Sequence, residues 1–309
     1  MEMVLDFVLL AVGFLMLVKG ADWFVDGSAG IAAKFGIPQL VIGLTIVAMG
    51  TSAPEAAVSI TAALKGNADI TIGNIVGSNI LNVLIILGIS ACITALAVAK
   101  STVRVEIPFM IGITMLLLLL GWDGTIRFVE GIILWIAFIL YLVYLFFMAK
   151  NNPEETAEEA KNRPWWQLFL FTAAGLVLIV LGSDVTVDAA TGIARIAGLS
   201  ERFIGLTIVA LGTSLPELFT SVSAARKGNA DIAIGNIVGS NIFNILFVVG
   251  TSALVTPIPF AAGFRIDTLI AAAAGVLLLI SCFKSKKLNR TAGIAMLVSY
   301  AAYFIYLMR

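Results

Sequence analysis

The chain has 309 residues, of which 60 % are hydrophobic and only 12 % charged, and its formal net charge is zero. A soluble domain carries about a quarter charged residues, so this composition excludes a water-soluble globule, and the balanced charge gives no indication of a nucleic-acid partner. The absence of histidine and the isolation of the two cysteines, Cys92 and Cys282, exclude a disulfide framework and a zinc-type metal site.

Ten apolar segments follow one another along the chain, each close to the roughly 20 residues that a helix needs to cross a membrane. The first has neither a preceding basic region nor a small-residue cleavage site, which predicts a transmembrane helix rather than a signal peptide. We therefore predict an all-α membrane protein with ten transmembrane helices, at residues 3–25, 38–63, 70–97, 104–121, 127–148, 166–188, 203–225, 232–255, 266–283 and 291–308.

One long hydrophilic stretch, 149–165, separates the fifth apolar segment from the sixth. Its acidic residues are typical of a solvated linker, so we predict two five-helix units, 1–148 and 166–309. With the N-terminus outside, twelve Lys and Arg residues fall in the inward segments and six in the outward ones. We predict a plasma-membrane protein, and the positive-inside rule favours both termini outside and a cytoplasmic linker.

The two predicted units share a repeated sequence. Residues Gly43–Glu55 recur as Gly205–Glu217, and Gly66–Asn82 recur as Gly228–Asn244. The offset is 162 residues throughout, and 30 of the 40 positions from 43 to 82 are identical to their partners. Because each unit has an odd number of helices, the second copy should lie upside down relative to the first. Transporters built from such inverted repeats bind their ions near the membrane midplane, where the repeats meet.

Glu55 and Glu217, at equivalent positions of the two copies, fall deep inside apolar segments that contain no Lys or Arg. A carboxylate at membrane depth is costly, nearly always faces the interior of the bundle and marks an ion pathway. Each glutamate follows a proline, Pro54 or Pro216, which removes a backbone N–H and predicts a broken helix at the midplane. Backbone oxygens freed in this way are tolerated at that depth only where they line a cavity.

The segment after each glutamate carries a polar stripe of Asn, Ser and Asn at intervals of four residues, which places them on one helix face. Two interpretations stay open, namely hydrogen bonding between helices and the lining of an ion site. All the candidate ligands are oxygens, which suits Na⁺, Ca²⁺ or Mg²⁺, and a site with many protein oxygens favours Ca²⁺ over Mg²⁺. The stripes are Asn74, Ser78 and Asn82, and Asn236, Ser240 and Asn244.

Two further acidic pairs are related by the same offset. Asp22 and Asp26 lie one helical turn apart near the end of a span, and Asp184 and Asp188 repeat them. Surface acids are the favoured interpretation, and an ion vestibule is the alternative.

At Gly50–Glu55 and Gly212–Glu217, both Gly-Thr-Ser-x-Pro-Glu and both followed by Gly-Asn-x-x-Gly-Ser-Asn, the sequence resembles the cation/calcium exchanger superfamily, in particular its prokaryotic sodium/calcium exchanger branch. The resemblance covers nearly the whole chain and implies that the first and sixth helices slide against the rest. It also implies an ion site in which Ca²⁺ is bound by Glu55, Glu217 and the backbone oxygens of Thr51 and Thr213. Na⁺ would compete for the same carboxylates and use Ser52, Ser214, Ser78, Ser240 and the carbonyls of Ala48 and Ala210. Asn82 and Asn244 would complete the centre.

Some members of that superfamily carry Asp at the position of Asn82 or Asn244, whereas both are neutral here. Two central carboxylates balance one Ca²⁺ or two Na⁺, which leaves the ion stoichiometry open. The sequence therefore predicts a Ca²⁺/Na⁺ antiporter, with Ca²⁺/H⁺ exchange as the alternative. It has no motif of an intramembrane enzyme, and no cofactor or protein partner is expected beyond the transported cations and the bilayer.

Overall fold

The structure is a computed structural model that describes residues 2–151, 164–197 and 210–307. Helices dominate the first half, and its second span is interrupted. The helices are α1 (Glu2–Phe35), α2 (Gln39–Thr51), α3 (Ala53–Leu64), α4 (Ile70–Ile93), α5 (Thr102–Leu120) and α6 (Phe128–Asn151).

The second half follows the same order. A short helical turn, Ala210–Gly212, precedes the continuation of the interrupted span. The helices are α7 (Trp165–Ile196), α8 (Leu215–Arg226), α9 (Ala230–Val255), α10 (Ala262–Phe283) and α11 (Arg290–Leu307).

Eight helices of the described residues are long and apolar enough to cross a membrane, and α2 with α3 forms a ninth, bent span. The all-α membrane class is thereby confirmed. The seventh predicted span, 203–225, begins in residues that lie outside the described part of the chain. Its described remainder is the Ala210–Gly212 turn and α8, which stands where α3 stands in the first half.

The first helix is longer than predicted. It was expected to end at residue 25, but α1 continues to Phe35 and measures 34 residues, or about 51 Å, against the roughly 30 Å of a bilayer core. Gly36, with a positive φ of 64°, follows its end, as is usual where a helix terminates. The polar residues between 26 and 34 hid this extension because they interrupt the apolar run without breaking the helix.

Helices α1 and α7 pack antiparallel along almost their whole length. Their contact surface is built from glycines: a Cβ added at Gly20 would stand 2.9 Å from the Gly175 carbonyl oxygen, and one at Gly175 would stand 2.5 Å from the Phe24 nitrogen. Small residues permit this close approach of two helices. The pair therefore forms one unit that lies against the other helices.

Helices α4 and α9 are the most buried of the long helices described and form the centre of the bundle. Gly235 packs on Gly43, and a Cβ at Gly239 would stand 2.8 Å from the Leu44 Cα. These glycines set the close crossing of α9 with α2. Both central helices also contain a π-helical stretch, at Asn82–Leu87 and at Asn244–Val249.

Two short antiparallel ladders, which the sequence did not predict, connect the halves outside the helices. The strand β1 pairs with β4, and β2 pairs with β3. Each ladder therefore joins one strand of the first half to one strand of the second. The strands are β1 (Leu96–Ala97), β2 (Thr125–Ile126), β3 (Ile258–Pro259) and β4 (Lys287–Leu288).

Candidate ion-binding site

The break in the second span lies at one residue. Helix α2 ends at Thr51, α3 begins at Ala53, and the two axes differ by 51° across Ser52. Pro54 sits in the first turn of α3, where its missing N–H is tolerated. Glu55 occupies the same first turn, where the positive end of the helix dipole favours a carboxylate. The predicted break is thus confirmed, although Gly50 and Thr51 remain helical.

The second copy has the same local arrangement. Thr213 and Ser214 form a turn between the Ala210–Gly212 turn and α8, and Pro216 and Glu217 lie in the first turn of α8. Because Pro216 cannot donate to the Gly212 carbonyl, that oxygen accepts a hydrogen bond from the Ser183 hydroxyl of α7 instead, at 2.6 Å.

The two breaks face each other, and each carboxylate is held by a serine of the other half. The Ser52 Oγ donates to Glu217 Oε1 at 2.8 Å, and the Ser214 Oγ donates to Glu55 Oε1 at 3.2 Å. The exposed fraction of both glutamates is 0 %. The repeat therefore brings two carboxylates from opposite ends of the chain into one buried centre.

Four buried oxygens of this centre have no hydrogen-bond partner among the described residues: Glu55 Oε2, Glu217 Oε2, Asn82 Oδ1 and Asn244 Oδ1. A buried oxygen without a donor is costly, and in a native protein it calls for an explanation such as a bound ion. Two carboxylate and two amide oxygens are the ligand type that Ca²⁺ and Na⁺ take, and no sulfur or imidazole accompanies them. The residues present therefore fit a hard cation.

The orientation of Asn82 and Asn244 is fixed by two asparagines that the sequence analysis missed. The Asn82 Nδ2 donates to Asn241 Oδ1 at 3.0 Å, and the Asn244 Nδ2 donates to Asn79 Oδ1 at 3.2 Å. In turn, Asn79 and Asn241 each donate to the other's backbone carbonyl. The side-chain amide nitrogens of Asn82 and Asn244 are therefore occupied, whereas their oxygens have no hydrogen-bond donor among the described residues. The identical Gly-Ser-Asn motif in both copies was the available signal.

The first asparagine of each stripe has a packing role. The Asn74 Nδ2 donates to the Ser59 Oγ, and the Asn236 Nδ2 donates to the Ser221 Oγ, both at 2.9 Å. Each bond ties a central helix to the helix that carries the glutamate. The hydrogen-bonding interpretation therefore holds for the first member of each stripe. The last member has an unpartnered oxygen, and for it the lining of an ion site stays a prediction.

Around the centre the two halves differ in their hydroxyl contacts. Ser78 lies 3.3 Å from Glu55 Oε1 and 3.2 Å from the Ser214 hydroxyl, whereas its repeat partner Ser240 donates to the Ala48 carbonyl at 3.3 Å. The Thr51 hydroxyl lies 3.3 Å from the same Ala48 carbonyl. Of the other predicted residues, Ala210 begins the helical turn and Thr213 adjoins Ser214.

The charge of the centre comes from the two glutamates. No Lys or Arg of the described ranges forms an ion pair with either, and nowhere in those ranges do three Asp, Glu, His or Cys side chains cluster. The described part of the site therefore carries two negative charges and no internal cation.

Several known proteins resemble this chain in sequence and in overall fold. The family described as "Sodium/calcium exchanger protein" matches residues 5–147 and 167–309. The "Putative antiporter CaxA" of Alkalimonas amylolytica is 41 % identical over 303 residues, covering 94 % of this chain and 95 % of that protein. The "Sodium/calcium exchanger MaX1" of Methanosarcina acetivorans is 31 % identical and covers 98 % of both. A solved structure of the sodium-calcium exchanger NCX_Mj, soaked with 10 mM Na⁺ and zero Ca²⁺, has a TM-score of 0.87 at 32 % identity, over 98 % of this chain and 99 % of that one.

Proposed function

Because the chain belongs to the sodium/calcium exchanger family, a family of transporters rather than enzymes, we propose that it exchanges Ca²⁺ for Na⁺ across the plasma membrane by alternating access. The observation that carries the proposal is the group of four buried oxygens without donors, two of them on carboxylates from opposite halves. A cation is the partner that all four can share.

Charge balance explains why the two ions exchange. Glu55 and Glu217 supply two negative charges, which one Ca²⁺ or two Na⁺ neutralise, and a charged site is expensive to carry through the bilayer. Since both ions need the same carboxylates, they cannot occupy the centre together. Only a site whose charge is neutralised by bound ions then switches its accessibility from one side of the membrane to the other.

The proposed ion site consists of ligands from both halves. The carboxylates bind both ions, the amide oxygens complete the centre, and hydroxyl and backbone oxygens select between Ca²⁺ and Na⁺. The site residues are Glu55, Glu217, Thr51, Thr213, Ser52, Ser214, Ser78, Ser240, Asn82, Asn244, Ala48 and Ala210.

We further propose ten spans in two inverted units, 1–148 and 166–309, and the strand ladders support this count. Strands β2 and β3 are paired, so they lie on one face of the membrane. Between them α6, α7 and α9 give three crossings, which would place β2 and β3 on opposite faces. A fourth crossing by 203–225 restores the match. With the positive-inside bias, the termini are outside and the linker 149–165 is cytoplasmic.

Proton exchange is the competing function, and one observation favours it. The second oxygen of each glutamate has no donor, so a proton could neutralise either carboxylate as Na⁺ does. Proteoliposomes loaded with sodium should take up Ca²⁺ when Na⁺ leaves down an outward sodium gradient. With an outward proton gradient alone, they should take up little Ca²⁺. Uptake that follows the pH gradient and ignores sodium would establish the proton antiporter instead.

A further inference from the structure

A polar cluster ties α1 to the end of α8, away from the proposed ion site. The Lys227 ammonium donates to Asp26 Oδ1 at 2.7 Å and to the Asp22 carbonyl at 2.9 Å. The Ser223 hydroxyl donates to Asp22 Oδ1 at 2.6 Å. These contacts join the α1–α7 pair to a helix of the surrounding bundle. We name them the α1 latch.

The sequence contains this cluster twice, but the structure assembles it once. At the offset of 162 residues, Lys65 corresponds to Lys227, Thr61 to Ser223, and Asp184 and Asp188 to the two aspartates of α1. In the described part of the chain, the Lys65 side chain has no hydrogen bond or ion pair, and neither Asp184 nor Asp188 pairs with a cation. All four side chains of this second set are exposed.

The backbone has the same asymmetry as the side chains. Helix α1 packs along α8, and the ring centroids of Phe14 and Phe219 are 6.0 Å apart. Its repeat partner α7 makes almost no contact with α3, which is the equivalent of α8. The α1–α7 pair thus leans on one half at one face of the membrane and stands away from the other half at the opposite face.

We propose that the two clusters are alternative latches of the transport cycle, one for each face. The α1 latch of Asp22, Asp26, Ser223 and Lys227 holds the present state. A second latch of Asp184, Asp188, Thr61 and Lys65 forms when the α1–α7 pair slides to the opposite state. This inference rests on the alternating access proposed above. With the orientation proposed there, the latched face is the cytoplasmic one.

The contacts have the strength that a reversible device requires. The side chains of Lys227, Asp22 and Asp26 are 28 %, 39 % and 48 % exposed, and ion pairs of such partly exposed groups are weak. Loss of one latch should change the ratio of the two states by about twofold to fivefold. A deeply buried pair would instead trap the transporter on one side.

The test uses thiol cross-linking in a cysteine-free background, C92A/C282A. The bifunctional reagent has a spacer long enough to span the distance that a paired lysine and aspartate side chain bridge. The pair D26C/K227C should cross-link readily, because it replaces the assembled latch. The pair D188C/K65C should cross-link more slowly, through the opposite state. Adding K227Q to D188C/K65C should raise that rate about twofold to fivefold, and the charge swap D26K/K227D, which restores the ion pair, should return it to the starting value.

Two results would overturn the inference. One is that D188C/K65C never cross-links in protein that is monodisperse and cross-links at D26C/K227C. The other is that K227Q leaves the D188C/K65C rate unchanged. K65Q is the matched control and should not lower cross-linking at D26C/K227C. The measurement uses purified protein without an ion gradient, so an absence of Na⁺/Ca²⁺ exchange would refute the proposed function and leave this result standing.

Discussion

Replacing Glu217 by glutamine should separate ion binding from folding. Glu217 is 0 % exposed, one of its oxygens accepts the Ser52 hydroxyl at 2.8 Å, and the other has no donor among the described residues. Glutamine keeps the shape and the serine contact but lowers the negative charge of the centre from two to one. In the proposed site, Ca²⁺ then lacks one of its two counter-charges.

The loss can be estimated from the burial of the site. Removing one partner of a buried, hydrogen-bonded charge pair costs about 2–5 kcal/mol, which corresponds to a Ca²⁺ affinity about 30-fold to several thousand-fold weaker. Because Glu55 is the other of the two buried carboxylates, Glu55→Gln should weaken binding to a similar extent. Transport of Ca²⁺ should be lost in both variants.

Isothermal titration of the purified protein with Ca²⁺ measures this directly, with uptake into proteoliposomes as the functional readout. Glu106→Gln is the matched control, because Glu106 is also 0 % exposed but lies in α5, where the Tyr144 hydroxyl donates to it. That variant should bind Ca²⁺ within about threefold of wild type. A folded Glu217→Gln protein that binds Ca²⁺ within tenfold of wild type would contradict the site assignment.

Three further outcomes are expected. Gly175→Ala should lower the free energy of unfolding by about 1–3 kcal/mol, because the new Cβ would stand 2.5 Å from the Phe24 nitrogen. Gly112 has open space around it, so Gly112→Ala should leave the free energy of unfolding unchanged. Thermal unfolding in detergent compares the two variants. Asn82→Asp should steepen sodium competition for Ca²⁺ from about two ions to about three, since a third buried charge requires a third monovalent cation; an unchanged slope would argue against Asn82 facing the ion. Millimolar Ca²⁺ should raise the unfolding temperature of wild type but not of Glu55→Gln, and equal shifts in both proteins would place the stabilising ion elsewhere.

The main features of the fold were predictable because they follow from periodicity and repetition. The length of the apolar segments predicted the helices, and the doubled motif predicted that Glu55 and Glu217 occupy equivalent positions in the two halves. The length of α1 was not predictable, because the polar residues after position 25 look like a loop in sequence although they lie on a helix that α7 covers. The strand pairs were also missed, since two residues carry too little pattern to predict a strand.

At the site, residue types were predictable and hydrogen-bond partners were not. The sequence identified Asn82 and Asn244 as candidate ligands but could not show that Asn79 and Asn241 occupy their amide nitrogens. Symmetry also predicted equal surroundings for Ser78 and Ser240, whereas one contacts a carboxylate and the other a backbone carbonyl. Such differences arise from the tertiary packing of one conformational state, which the repeat in the sequence does not predict.

The two strand ladders also constrain how the protein is made. Strand β1 in the first half has its partner in β4, which is the last strand of the chain. When the first half has been synthesised, its strands β1 and β2 therefore still lack their partners. The loops of the first half are paired only after β3 and β4, which flank α10, have been made, so the repeats, although copied from one ancestral unit, reach the native state together. Co-expressed fragments 1–151 and 164–309 should consequently assemble on one another, and neither should reach the native state alone.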